Sequence, residues 1–259
     1  VLFRSLKDVS VNNRKISFAN GPRFIGARRA DRSLDQFYNH DDEKAKAKDR
    51  TYSEFTDAAV FTKLDVKEEG GNLILTANYK LGNLDKAQWT IHPDGMATLD
   101  YTYNFSGVVD LMGICFDYPE GQVLSKRWLG AGPYRVWQNR IHGTQYDIWE
   151  NDYNDPIPGE TFTYPEFKGY FGSVSWMSIR TKEGTISLTN ETPDSYIGVY
   201  QPRDGRDRLL YTLPESGISV LNVIPPVRNK VNSTDLCGPS SQPKWVDGPQ
   251  TGRLVLRFE

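Results

Sequence analysis

Residues 88–105 read QWTIHPDGMATLDYTYNF, and this stretch decides the fold class. Ala97, Leu99, Tyr101, Tyr103 and Phe105 alternate with Thr98, Asp100, Thr102 and Asn104. A period of two places the first set on one face of a strand, whereas a helix would scatter it around the axis. Ahead of it, Pro93-Asp94-Gly95 has the chemistry of a turn. Proline fixes φ, the aspartate side chain bonds its own backbone, and glycine accepts positive φ. The spacing therefore predicts a β-hairpin over 88–105.

The same signals recur on both sides. Asn72 to Lys80 reads as a strand after Glu69-Gly70-Gly71, and Thr185 to Asn190 as another after Lys182-Glu183-Gly184. Tyr196 to Gln201 and Ile218 to Ile224 add two more, and Tyr52 to Phe61 fits either a short helix or a strand. Short β-rich runs punctuated by Gly, Pro and Asp argue for an all-β sandwich. No long amphipathic helix, internal repeat or linker divides the 259 residues, which read as one domain. The polar run Arg228 to Gln242 is long for a hairpin connection and is expected to be disordered or a functional loop.

Charge narrows the partners. A net charge of −2 with acids and bases interspersed leaves no basic stripe, so no nucleic-acid partner is expected. The run Asp41 to Arg50 mixes signs and reads as solvated. No apolar run approaches the ~20 residues of a membrane span. The chain begins at Val1 without methionine, and we read it as a fragment of a longer protein. Cys115 lies in the apolar run Leu111 to Phe116 and is expected to be a buried free thiol. With Cys237 far away, neither a metal nor a redox spacing arises, and no cofactor is implied.

The most unusual composition lies at 128–149, WLGAGPYRVWQNRIHGTQYDIW, with Trp128, Trp137 and Trp149 among glycines and an Asn139-Arg140 pair. Tryptophan offers a flat apolar face to the C–H side of a sugar ring, while arginine and asparagine offer planar hydrogen-bonding groups. The same residue types also serve core packing and tight turns in β proteins.

The spacing W-x-G-x-G-P-x-x-x-W-x-N-R-x-x-G, Trp128 to Gly143, resembles a segment of the C-terminal domain of family 2 β-galactosidases. There a strand ends in W/Y-x-G-x-G-P and an E-N-Y-x-D-R-type stretch follows. Here Arg135, Val136 and Trp137 stand in place of Glu, Asn and Tyr, and Asn139-Arg140 in place of Asp-Arg. Tyr164 to Gly169 is similar to that family's Y-x-x-P-Q-E-x-G turn, and Lys244-Trp245 before a last strand at Arg253 to Phe258 is similar to the domain's end. The resemblance is patchy and is strongest over Trp128 to Gly172.

The resemblance implies a β-supersandwich of the galactose mutarotase-like type. It implies a first hairpin at Val9 to Phe18 and a further turn at Asn20-Gly21. In that family both catalytic glutamates sit on a separate barrel domain, so this chain would itself not be catalytic. It would complete the sugar site of a parent glycoside hydrolase, with a galactoside or related glycan and the catalytic barrel as partners. Trp245 would stack on sugar. Trp137, Asn139 and Arg140 would contact sugar or the domain interface. A polysaccharide-degrading context points to the bacterial periplasm or secretion.

Two other classes stay open. One is a stand-alone carbohydrate-binding module. The other is a mutarotase-like or polysaccharide-lyase-like enzyme. An epimerase needs histidines and a carboxylate converging on the ring as acid and base. Only His40, His92 and His142 exist, and His142 is the candidate. A lyase would draw on Tyr134, Arg135, Asn139 and Arg140. Asp147, Glu150, Asp152 and Asp155 read as turn chemistry, with a calcium loop as the other reading. No G-x-S-x-G supports a serine triad, and Pro133 spoils Gly130 to Pro133 as a phosphate loop. A pocket gathering His142 with a carboxylate would favour an enzyme; a broad apolar face would favour a missing partner domain.

Overall fold

The alternating run becomes strand β8 (Ala97–Asn104), and the run before the turn becomes β7 (Leu84–Ile91). They pair antiparallel with Trp89 opposite Leu99 and Ile91 opposite Ala97. Gly95 takes φ 84°, and Asp94 Oδ1 accepts the Met96 N–H at 3.0 Å, so the turn closes as its chemistry requires. The computed structural model describes residues 6, 9–29, 52–55, 57–152, 169–199, 214–227 and 238–259.

Among the described residues two antiparallel sheets carry the fold, which is all-β. The larger has nine strands in the order β12 (Gln145–Asp152), β11 (Val123–Gly132), β14 (Trp176–Thr181), β15 (Thr185–Asn190), β19 (Pro249–Phe258), β8, β7, β6 (Asn72–Lys80) and β5 (Val60–Glu69). The smaller has six, ordered β13 (Phe171–Gly172), β16 (Tyr196–Val199), β17 (Ile218–Val223), β10 (Leu111–Asp117), β3 (Ala19–Arg29) and β4 (Tyr52–Glu54). Two ribbons complete it: β1 (Val9–Val11) with β2 (Arg14–Ile16), and β9 (Gly107–Val109) with β18 (Lys244–Val246).

The sheets pack face to face. Leu99, Tyr103, Trp128, Met177 and Ile179 of the larger sheet share one buried cluster with Phe24, Ile114, Phe116, Ile218 and Val220 of the smaller. A second cluster lies on the other face of the smaller sheet, where Ile25, Cys115 and Leu221 meet Val136, Trp137 and Tyr170. With both faces covered, β10 must be apolar at every position, and Leu111 to Phe116 are all buried. Gly113 sits here because a Cβ would lie 2.1 Å from the Val220 carbonyl oxygen.

Several expectations meet the chain directly. The strands at Asn72–Lys80 and Thr185–Asn190 have the bounds the turn signals gave them. The first hairpin forms, turning through Asn12 and Asn13 at φ 50° and 64°, the paired positive values of a type I′ turn. Cys115 is a buried free thiol.

Others need correction. Asn20-Gly21 is not a turn but lies inside β3; Asn20 takes φ 51° while the strand runs on. Gly21 is required by packing, since a Cβ there would lie 2.1 Å from a Phe116 ring carbon. Tyr52 to Phe61 is not one element. β4 ends at Glu54, and Asp57 Oδ1 accepts the N–H of Ala59 and of Asn83, fixing a break before β5 starts at Val60. Asp147, Glu150 and Asp152 lie on β12 and not in a turn. His40, the run Asp41 to Arg50, Asp155, Tyr164 to Lys168 and Cys237 lie outside the described residues.

The unequal sheets have a consequence at one edge. Val66, Leu75, Trp89 and Leu99 lie opposite one another in register across β5, β6, β7 and β8, as do Leu64, Ala77, Ala87 and Tyr101. Both rows therefore belong to one face, the core face of the sheet. Leu99 is fully buried beneath the smaller sheet, but Val66 is 58 % exposed. An apolar groove of about 520 Å³ runs here, with Val9 and Val11 of the first hairpin on one side and Leu64, Leu75 and Trp89 on the other.

Candidate functional site

The tryptophan-rich segment divides into packing and surface. β11 ends at Gly132, directly before Pro133. Trp128 is fully buried, meets Phe171 edge to face at 4.8 Å, and donates its indole N–H to the Ala131 carbonyl at 3.1 Å. Trp149 packs over Gly132, where a Cβ would stand 2.4 Å from its ring, and donates to the Gly130 carbonyl at 3.2 Å. The glycines of W-x-G-x-G thus admit tryptophan against backbone, which is the packing reading of that composition.

Trp137 is 2 % exposed and stands edge to face on Tyr170 at 5.7 Å. Its ring has no open face for a sugar, so it is corrected to a core residue. Asn139 accepts the Val227 N–H at 2.9 Å and donates to the Val227 carbonyl at 2.8 Å, which consumes its amide as a backbone strap. Next to it, Gln138 Nε2 donates to the carbonyls of Ser240 and Gln242, both at 2.7 Å. Arg140 is exposed beside them. Arg135 is buried over the Phe171 ring at 5.7 Å, a cation–π contact, and does not share a surface with Arg140.

Trp245 behaves differently. It is 70 % exposed, although tryptophan is the costliest side chain to leave in water. It is nevertheless held in place. β18 pairs with β9, Trp245 opposite Val108. Alternation puts Lys244 and Val246 on the opposite face from Trp245, and Val246 packs on the main core. The turn that follows is tied down by Ser106 Oγ, which donates to Asp247 Oδ1 at 2.7 Å. The indole is thus presented by an anchored strand.

A polar cleft of about 340 Å³ opens where strand ends of both sheets meet the second ribbon. Asn190 and Thr192 line it from the larger sheet, Tyr196 and Asn222 from the smaller, and Lys244 from β18. Asn222 follows Ile218 and Val220 on the inner face of β17, where an apolar residue would extend the core. Its Oδ1 accepts the hydroxyl of fully buried Tyr103 at 2.6 Å. Burial pushes the Tyr103 phenol far above its ordinary value, so it stays a donor. Sequence reading missed Asn222; the signal was an amide interrupting the apolar run Ile218 to Ile224.

The two histidines among the described residues do not converge. His92 sits at the β7–β8 turn and bonds Asn72 Oδ1 at 3.2 Å and Thr98 Oγ1 at 2.8 Å. His142 is exposed on the β11–β12 connection. Four ladder steps separate β8 from β11, roughly 19 Å at ~4.8 Å per strand. Among the described residues, no group of three His, Cys, Asp or Glu side chains could hold a metal ion.

No family model matches the chain, and no curated protein matches it. Among solved structures it is similar to the GalM/aldose epimerase homologue from C. elegans, at 8 % identity over 76 % of this chain and 69 % of that one, with a TM-score of 0.34.

Proposed function

We propose that the chain is a non-catalytic, sugar-facing domain of a longer β-galactosidase-like glycoside hydrolase. In this reading Trp245 stacks on a galactoside or related glycan held mainly by a catalytic barrel. The observation that carries it is the anchored, 70 % exposed indole of Trp245. The partly exposed rows Val66–Leu75 and Leu64–Ala77 support the partner half of the reading, because soluble proteins rarely leave contiguous apolar area without something to cover it.

Calorimetric titration of the chain with galactose, lactose and plant glycans tests it, run beside turnover of a chromogenic galactoside. The expected result is no turnover, with millimolar glycan binding that Trp245→Ala weakens. Turnover by this chain alone would overturn the non-catalytic reading. A titration that Trp245→Ala leaves unchanged for every glycan would overturn the role of that residue.

A further inference from the structure

We propose that the polar cleft is a second carbohydrate site and binds a single neutral pyranose ring. The proposal rests on the carbohydrate reading above but uses different residues. Three observations carry it. First, Asn222 is a placed amide, not a solvated one. Its oxygen is taken by the buried Tyr103 hydroxyl, so its orientation is fixed and its NH₂ is left for whatever occupies the cleft.

Second, the wall beside it is already organised. Asn190 Nδ2 donates to Ser195 Oγ at 2.9 Å, Ser195 Oγ donates to the Thr192 carbonyl at 2.8 Å, and the Thr192 N–H returns to Asn190 Oδ1 at 3.2 Å. A ligand meeting this wall need not order it, which removes part of the cost of binding.

Third, the charged groups of the lining are one of each sign, Asp194 and Lys244. Together they supply carboxylate acceptors and ammonium donors for hydroxyls, without net charge. That balance suits a neutral polyol and gives no advantage to a uronate or a phosphate. The volume lies at the small end of the roughly 300–1,000 Å³ of ligand sites, which suits one ring and not an extended chain.

The test is an amide NMR titration of the full ¹⁵N-labelled chain with galactose, and with glucuronate as the charged control. Saturable shifts of the Asn222 side-chain amide and the Ser195 backbone amide are expected, with galactose binding more tightly than glucuronate. Asp194→Asn and Lys244→Ala should each weaken binding about tenfold, the loss typical of a hydrogen bond to a charged group. Both residues are exposed, so neither change threatens folding. Saturation that leaves Asn222 and Ser195 unmoved, tighter binding of glucuronate, no weakening in either variant, or no shift at about 100 mM galactose each overturns the cleft. Trp245→Ala should leave these shifts in place. If it alone abolishes galactose binding, the cleft fails and the Trp245 reading stands; if cleft shifts persist while Trp245 never responds to any glycan, the Trp245 reading fails and the cleft stands.

Discussion

The row Val66–Leu75–Trp89–Leu99 runs from solvent to core along one face of one sheet, and truncating it position by position should show a gradient of cost. Leu99→Ala removes three carbons from a fully buried site. Transfer alone costs about 2.4 kcal/mol at ~0.8 per carbon, and the residual cavity raises the total to about 3–4 kcal/mol. Val66→Ala removes two carbons from a side chain 58 % exposed, so somewhat under half of ~1.6 kcal/mol is lost, about 0.7 kcal/mol. Leu75→Ala, half-buried on β6, should fall between them. Urea unfolding followed by tryptophan fluorescence measures all three, read as a shift of midpoint at constant slope. If Val66→Ala costs as much as Leu99→Ala, β5 to β7 are covered in the free chain, and the argument for a missing partner on that face collapses.

Three further outcomes follow from groups that lose solvent on folding. Burial pushes the Cys115 thiol up to about 12, with the Arg23 charge offsetting only part of it; alkylation of Cys115 at pH 8, tracked by peptide mass, should be roughly a thousandfold slower folded than in urea. Glu183 loses solvation on folding, but hydrogen bonds from the Ser17 hydroxyl, the Ser17 N–H and the Tyr118 hydroxyl outweigh that and hold its carboxyl below the ordinary 4.5. The folded state then binds fewer protons than the unfolded one, so this contribution is full above about pH 4.5 and is lost as pH falls through the folded value. Glu183→Gln should flatten that part of the acid limb in urea midpoints measured from pH 7 to 3. Tyr103→Phe strips the donor from Asn222 Oδ1 and should cost about 1–3 kcal/mol without disturbing the sandwich, checked by the same unfolding assay.

Strand positions were legible because turn chemistry is local. Pro93-Asp94-Gly95 and Lys182-Glu183-Gly184 set their own backbone angles, so the strands they bound needed no tertiary information. Asn20-Gly21 misled for the converse reason. It has turn composition, but Gly21 is demanded by the Phe116 ring, a contact between distant parts of the chain. The site was harder to read. Trp137 and Trp245 look equally eligible as letters, and only the second sheet face, which buries one, separates them. The Asn139 strap and the Asn222 amide likewise depend on partners 88 and 119 residues away in sequence. No period or motif records such pairings.

Among the described residues β5 is the last strand of the larger sheet, and its outer edge runs beside an apolar face, the combination most prone to recruit a strand from another molecule. Its outer face carries Lys63, Asp65, Lys67 and Glu69, with ion pairs of 2.6 Å between Lys63 and Asp65 and between Lys67 and Glu69. Exposed pairs of this kind add little to folding stability. Their consequence lies in colloidal behaviour. A second copy laying its β5 alongside would set its own charged row against this one as it gained a ladder of hydrogen bonds, and so the chain can carry an apolar margin without polymerising along it.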